Sequence, residues 1–406
     1  MQWRMTRATD RSPPRPADGN NAILDAARSV IAQRGLAGMS LRTVADEAGL
    51  SVGSISYRIG DRAALVSAIA EREIELLADI GHEWRDRLIG VDPIAAGILP
   101  DLICEWLDLP ERRISAIVTC ELALLASRDA QALPGVAGLL DDGERLWGAL
   151  LGDAIDRRAL ARRVARYCLD EQPFSLLLAD NVDYRLLRHS TVRGLLRDGP
   201  QSVGSQRDGW HMALVERLAV PAAAALGKAA EIPEGTKAAI AEHIADAIIA
   251  QGVGALSHRV VAQASAMAAS SVAHHYPTQR DILFAGVEAI YRRMREDIRA
   301  SNAVAPGNGD VIRLTHESAL TALWNPDFLP FAIDMRRRRA ENVHVQIAQW
   351  LGIAPDSDRA RAQAMTMALI GDGLRILAVG GDLPSGPDAI THLVTNSTIV
   401  FNEHIC

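Results

Sequence analysis

The 406-residue sequence lacks most features that mark an enzyme, a metalloprotein or a membrane protein. Its four cysteines are scattered without close pairs, which argues against a zinc site or a disulfide framework and favours a reducing compartment. No apolar run reaches the roughly 18 residues of a membrane span, and the amino terminus has no signal-peptide stretch. GxSxG, HExxH, P-loop and dinucleotide-binding patterns are absent. We expect a cytoplasmic protein without catalytic activity, metal, cofactor or membrane partner.

The chain also has no excess of positive charge: 43 lysines and arginines stand against 50 acidic residues, which gives a formal net charge of −7. A nucleic-acid-binding surface would therefore have to be local. Residues 1–65 carry nine arginines against six acidic residues, a balance of +3, whereas residues 236–283 carry three basic and three acidic residues. The amino-terminal segment is better suited to approach phosphates.

One pattern occurs twice at a constant spacing of 217 residues. The matching pairs are Gly35 and Gly252, Ser40 and Ser257, Arg42 and Arg259, Ala45 and Ala262, and Ser54 and Ser271. A gap-free offset over a long window predicts two copies of one supersecondary unit.

Each copy begins with a predicted helix-turn-helix. In the first copy, apolar residues at helical spacing predict a helix from Asn20 to Arg34, and Ser40, Ser51 and Asp61 are placed to cap three more helices, with Gly49 at the turn. The second helix of such a pair fits the DNA major groove. Further helices are predicted near 93–107, 113–128, 134–151, 158–180, 183–197, 208–227, 279–300, 309–324, 327–350, 358–379 and 387–404. We therefore expect an all-α fold.

The segment SLRTVADEAGLSVGSISYRIGDRAALVSAI (40–69) resembles the DNA-binding segment of the TetR family of transcriptional regulators, and residues 257–286 look like the same segment. The resemblance implies helix-turn-helix domains, each followed by a helical ligand-binding and dimerisation domain, with the two units packed as a pseudo-dimer. The expected divisions are a disordered basic arm (1–18), a first DNA-binding domain (19–66), a first regulatory domain (67–230), a divergent second DNA-binding domain (236–284) and a second regulatory domain (285–406).

The same resemblance implies which residues contact DNA, and it places Arg62 where the family has a phosphate-binding lysine. In the first copy these residues are Ser40, Arg42, Thr43, Val52, Gly53, Ser54, Ser56, Tyr57, Arg58 and Arg62. In the second copy they are Ser257, Arg259, Ser270, Ser271, His274, His275 and Gln279.

The second copy departs from the family pattern at several positions. Ala266 replaces the turn glycine, and a left-handed conformation there would cost roughly 1 kcal/mol. Gln279 replaces the basic residue, whereas Tyr276 supplies an aromatic residue that the first copy lacks. We expect the second copy to bind DNA weakly or with another sequence preference.

Other residues carry alternative interpretations. Trp106, Glu121, Trp147 and Phe174 are candidates for a ligand site, although aromatic residues more commonly fill a core. Adjacent His274 and His275 face different directions, so no metal site is expected. The run RRRR (336–339) is interpreted as a solvated or ion-paired helix face.

The sequence predicts a ligand-responsive repressor that places two helix-turn-helix units of one chain in successive major grooves. Its partners would be double-stranded operator DNA and a small-molecule effector, and the chain would act as a monomeric pseudo-dimer or a homodimer. A second interpretation is a ligand-binding or protein-interaction module with one or both DNA readers inactive. The net acidity, Ala266 and Gln279 favour that interpretation.

Overall fold

A computed structural model describes residues 16–152, 154–197, 206–219, 234–301, 309–384 and 386–394. Throughout these ranges the chain is all-α, without strands, which confirms the expected fold class. No helix in them is both long and apolar enough to cross a membrane. The arm predicted for residues 1–18 lies outside the described residues up to residue 15, and a helix begins at Pro16. Predicted helical residues 220–227 and 395–404 also lie outside.

The described helices are numbered in chain order. Those before residue 220 are α1 to α10: Pro16–Arg34, Leu41–Ala48, Val52–Arg58, Arg62–Arg87, Leu99–Asp108, Arg113–Arg128, Pro134–Leu151, Ile155–Leu178, Val182–Leu195 and Gln206–Arg217. Those after residue 233 are α11 to α19: Gly235–Gln251, His258–Ala264, Ala269–His275, Gln279–Ser301, Gly309–Thr321, Leu329–Arg337, His344–Trp350, Arg359–Ala378 and Asp388–Val394.

The caps predicted for the first helix-turn-helix are present. The Ser40 hydroxyl accepts a hydrogen bond from Thr43 N, and the Thr43 hydroxyl accepts one from Ser40 N, a reciprocal capping box that starts α2. Ser51 and Asp61 cap α3 and α4. Gly49 ends α2 with φ of 65°, a left-handed conformation that glycine adopts without strain.

The first helix-turn-helix shares a core with the helices behind it. Ile23, Val44, Ile55 and Leu65 are fully buried in a cluster that continues into α6 and α7. Burial of these side chains holds α1 to α4 together and packs this four-helix unit against the remainder of its half.

The two halves of the chain meet along α8, α9 and α18. Helix α18 packs against both α8 and α9, and α19 also contacts α8. Two glycines show how closely these helices pack. A Cβ atom at Gly371 would lie 1.9 Å from the Arg166 carbonyl oxygen, and one at Gly194 would lie 2.6 Å from the Ala360 carbonyl carbon. A larger residue at either glycine would force the helices apart.

A buried polar network crosses this contact. The Glu171 carboxylate accepts hydrogen bonds from the Tyr167 and Tyr184 hydroxyls at 2.7 and 2.8 Å, and from two nitrogens of Arg336 at 2.8 and 2.7 Å. Both Glu171 and Arg336 are fully buried. Pairing compensates the free-energy cost of burying each of these two charges without a partner.

The interpretation of residues 336–339 as a solvated face is therefore wrong for Arg336 and Arg339. Arg339 is also buried, and it donates to Asp170 at 2.8 Å. Arg338 is the exposed member of the run and pairs with Glu341. The ion-paired part of the interpretation is confirmed.

Two predicted helices differ from the structure in their bounds. The helix predicted for 327–350 breaks after α16, because Ala340 adopts a left-handed φ of 72°, and the chain resumes helical structure in α17. The helix predicted from residue 93 begins instead at Leu99. Before it, the Asp92 carboxylate accepts hydrogen bonds from the backbone of Ile94 and Ala95, which favours a turn.

Candidate functional site

Helix α3 presents a continuous exposed surface. Val52, Gly53, Ser56, Tyr57 and Arg58 are all exposed, and Tyr57 retains 92% of its accessible area. On the opposite side Ile55 is fully buried and anchors the helix. A short helix held at one face and free at the other has the arrangement needed to enter a major groove.

The remaining side chains predicted to contact DNA differ in whether they already form hydrogen bonds within the protein. Arg42 is exposed. The Ser40 and Thr43 hydroxyls form the capping box, and Ser54 is half-buried with its backbone N–H bonded to Ser51. The DNA-contact roles of these residues stay predictions.

Arg62 has a structural function that the sequence did not indicate. Its Nε donates to the Met39 carbonyl at 3.2 Å, and Nη2 donates to the Leu36 carbonyl at 3.1 Å. The residue is nevertheless exposed. Arg62 therefore joins the start of α4 to the turn before α2 while keeping its charge at the surface.

Helices α11 to α14 repeat the order of α1 to α4. Helices α12, α13 and α14 begin at residues 258, 269 and 279, each 217 positions after the start of α2, α3 and α4. A 3-10 turn at Leu36–Gly38 also has its counterpart at Val253–Ala255. Ala266, the counterpart of Gly49, has the left-handed φ of 52° that the alignment requires.

The exposed surface of this second unit carries less charge. Arg259, Ser270, His274 and Gln279 are exposed, whereas Ser271 and His275 are half-buried and Ser257 caps α12. Ala268 precedes α13 without a side-chain cap, where the first unit has Ser51.

Two residues of the second unit are held by the fold. Tyr276 is buried, and its hydroxyl donates to the Lys237 carbonyl at 2.9 Å. The Gln279 amide donates to the Leu256 carbonyl. Leu256 is the counterpart of Met39, so Gln279 keeps the structural bond of Arg62 without its charge.

The first DNA-binding unit is joined to α6 by Glu121. This carboxylate accepts a hydrogen bond from Leu36 N at 3.2 Å, next to Gly35, whose φ is 71°. Trp324, from the other half of the chain, covers the same place and donates from its indole to the Ala32 carbonyl at 3.1 Å. Burial raises the pKa of Glu121 to about 7.

The second unit is joined to α15 by Glu317 in the same way. The backbone of Val253, the counterpart of Leu36, hydrogen-bonds to its carboxylate, and Arg128 from the first half donates to it at 2.8 Å. A Cβ atom at Gly252 would lie 2.1 Å from the Glu317 Oε1 atom, so a larger residue there would have to displace this carboxylate and adopt the positive φ of 87° that favours glycine. Burial raises the pKa of Glu317, and Arg128 opposes that rise.

A cavity lies between α4, α5, α6, α7 and α8 of the first half. Its empty space is about 710 Å³, including the part open to solvent. The lining is mainly apolar and aromatic, with polar groups from Glu73, Arg112, Ser115, Thr119 and Gln172. This composition is typical of small-molecule sites.

Two of the four predicted ligand residues line this cavity, and two do not. Trp106 and Trp147 are in its wall, in edge-to-face contact with centroids 6.0 Å apart. Glu121 lies at the junction with Leu36, and Phe174 is fully buried beneath the Arg339 guanidinium. Ligand binding by any of the four stays a prediction.

The cavity is connected to α1 by Arg28. Its Nε donates to Glu73 at 2.5 Å, and its Nη2 donates to the Ser115 hydroxyl at 2.9 Å. Glu73 and Ser115 are both in the cavity wall. Arg28 therefore links two residues of the cavity wall to helix α1. Within the described ranges no group of three potential metal ligands occurs.

A comparison with known protein families finds a match for the first helix-turn-helix unit. Residues 23–69 match the family model of bacterial regulatory proteins, tetR family, and this range contains α2, α3 and the start of α4. No curated protein matches the chain. The matched range, together with the exposed helix α3, indicates a TetR-type DNA-binding domain at residues 23–69.

Proposed function

We propose that this chain is a transcriptional repressor that reads operator DNA with two unlike helix-turn-helix units. The observation that carries the proposal is the repeat of helix starts at an offset of 217 residues, with α3 and α13 both partly exposed. In ordinary helix-turn-helix dimers, two recognition helices enter successive major grooves about 34–36 Å apart. Here one chain supplies both helices, so it functions as a pseudo-dimer without a second copy.

The contact between the halves supports this arrangement. Helices α8, α9, α18 and α19 pack together around buried, paired charges such as Glu171 and Arg336. Covalent connection raises the effective concentration of the second reader once the first has bound. The charge difference between Arg62 and Gln279 favours a stronger contact from the first reader.

The cavity of the first half supports regulation by a small molecule. A ligand that binds better to one arrangement of α4 and α6 than to another shifts the position of the first DNA-binding unit, because Arg28 joins both helices to α1. We propose that such a ligand releases the DNA.

Selection of duplexes from a random-sequence pool tests the proposed function. The wild-type chain should select two unlike half-sites about 10–10.5 base pairs apart. Tyr57→Ala should change the preference in one half-site only, and His274→Ala in the other only, because both side chains are exposed and neither supports the core.

If His274→Ala and the wild type selected the same sequence, the second unit would not read DNA sequence. Failure of the wild type to select any sequence would favour the ligand-binding or protein-interaction module.

A further inference from the structure

Five of the buried arginines of this protein fall into two kinds. Arg166, Arg188, Arg336 and Arg339 each form an ion pair with at least one carboxylate. Arg112 is buried as well, with 9% of its area accessible, yet no ion pair joins it to a carboxylate in the described part of the chain. A buried charge without a counter-ion is costly, so its presence calls for an explanation.

The hydrogen-bond partners of Arg112 are neutral. Its Nη1 donates to the Trp106 carbonyl at 2.6 Å and to the Gln172 side-chain oxygen at 3.2 Å, and the guanidinium lies 3.6 Å from the centroid of the Trp106 ring. These contacts fix the orientation of the guanidinium but do not neutralise it. Burial lowers the pKa of Arg112 to about 10, which still leaves it charged at neutral pH.

Arg112 lines the cavity described above. Glu73 lines the same cavity and its charge acts on Arg112, but its Oε1 atom pairs with Arg28 at 2.5 Å and no ion pair joins it to Arg112. Among the described residues, the cavity wall therefore contains one buried cation without an ion-pair partner, surrounded by the rings of Trp106 and Trp147 and by aliphatic side chains.

We infer that the cavity binds a small organic acid, with its carboxylate on Arg112 and its apolar body against Trp106 and Trp147. Nη1 is occupied by Trp106 and Gln172, so the Nε and Nη2 edge of the guanidinium is the one that can donate to a carboxylate as a bidentate pair. The inference rests on the proposal that this cavity is the regulatory site, and it adds the chemical class of the ligand.

Isothermal titration of the full chain with three probes of one shape tests the inference without DNA. The probes are 4-phenylbutyrate, 4-phenylbutylamine and 4-phenylbutan-1-ol. The acid should bind at least tenfold more tightly than the alcohol, and the amine should bind most weakly, because only the acid supplies the missing negative charge.

Two variants locate the effect. Arg112→Gln should reduce affinity for 4-phenylbutyrate at least tenfold, to the level of the alcohol, while affinity for the alcohol changes little. Arg112→Lys keeps the charge and should retain part of the preference for the acid, which provides a test if the glutamine variant fails to fold. Arg113→Gln is the matched control, since this neighbouring arginine is exposed and is not in the cavity wall.

Tighter binding of the amine than the acid, an unchanged acid affinity in Arg112→Gln, or no binding of any probe would overturn the inference. Failure of the wild type in DNA selection would instead contradict the proposed function, because that assay contains no ligand. The two failures are therefore distinguishable.

Discussion

The junctions that join α1–α4 and α11–α14 to the helices behind them share one contact and differ in another. In each, a glutamate accepts the backbone N–H that opens the 3-10 turn: Glu121 from Leu36, and Glu317 from Val253. The opposite half then completes the junction, with the Trp324 ring in the first and the Arg128 guanidinium in the second. Each of the units α1–α4 and α11–α14 thus contacts residues of the other half, so the two units are connected through these side chains.

A second difference separates the halves at α1 and α11. Arg28 and Glu73 form the polar connection between the cavity and the first unit, whereas the residues 217 positions later are Ala245 and Ile290, both buried and apolar. The first half retains a polar route from cavity to reader, and the second has packing in its place. The two halves therefore share helix order and spacing but differ in side-chain chemistry at these positions.

The largest effect is expected where the halves are joined. Arg336→Met leaves the buried Glu171 carboxylate without its charge partner, and we expect unfolding free energy to fall by about 3–5 kcal/mol. Arg338→Met, two residues away on the exposed side, should cost less than about 1 kcal/mol. Urea unfolding of both variants measures the difference; equal losses would contradict the network as the source of the effect.

The next test exchanges the glutamates of the two junctions for glutamine. Glu317→Gln leaves Arg128 without its ion pair, and a loss of about 1–3 kcal/mol is expected at pH 7. Glu121→Gln should instead stabilise the protein at pH 8, because the replaced carboxylate is charged there and is half-buried without an ion-pair partner among the described residues.

The pH dependence of Glu121 has a definite sign. Its folded pKa of about 7 lies above the ordinary 4.5, so the folded state holds an extra proton between these values. Stability from this group is complete below pH 4.5 and falls as pH rises to 7, by roughly 3 kcal/mol. Unfolding at pH 4.5 and pH 8 should therefore give a gain for Glu121→Gln only at the higher pH. The same gain at both values would contradict the shifted pKa.

A smaller effect concerns the turn of each reader. Ala266→Gly should stabilise the second unit by roughly 1 kcal/mol, because glycine adopts the left-handed conformation without strain. Gly49→Ala should destabilise the first unit by a similar amount, since a Cβ atom there would meet nothing within 4 Å and the cost is purely conformational. Thermal unfolding measures both. Shifts of the same sign in the two variants would count against equivalent turns.

The smallest expected effect is an exchange of charge between the readers. Arg62→Gln preserves a donor for the Met39 carbonyl and removes the charge, so the salt dependence of DNA binding should become shallower by about 0.9 for each phosphate that is no longer neutralised. Gln279→Arg should make it steeper by the same amount. Anisotropy titrations at several salt concentrations compare the slopes, and unchanged slopes in both variants would show that neither position is near a phosphate.

The sequence supports prediction best where the interacting residues are close along the chain. Ser40, Ser51 and Asp61 bond three residues ahead, so spacing alone indicates their caps. Glu121 and Arg336 could not be placed in this way, because their partners lie 85 and 165 residues away along the chain. Their pairing depends on how the helices and the halves pack, which periodicity does not specify. The importance of Arg112 is equally hidden from the sequence, because burial among neutral partners follows from the packing alone.

Native mass spectrometry of the chain bound to its selected duplex tests most directly whether one chain supplies both readers. A complex of one chain with one duplex containing two half-sites is predicted, and its footprint should protect two regions about one helical turn apart. Two chains on that duplex, each protecting a single half-site, would contradict the proposed pseudo-dimer.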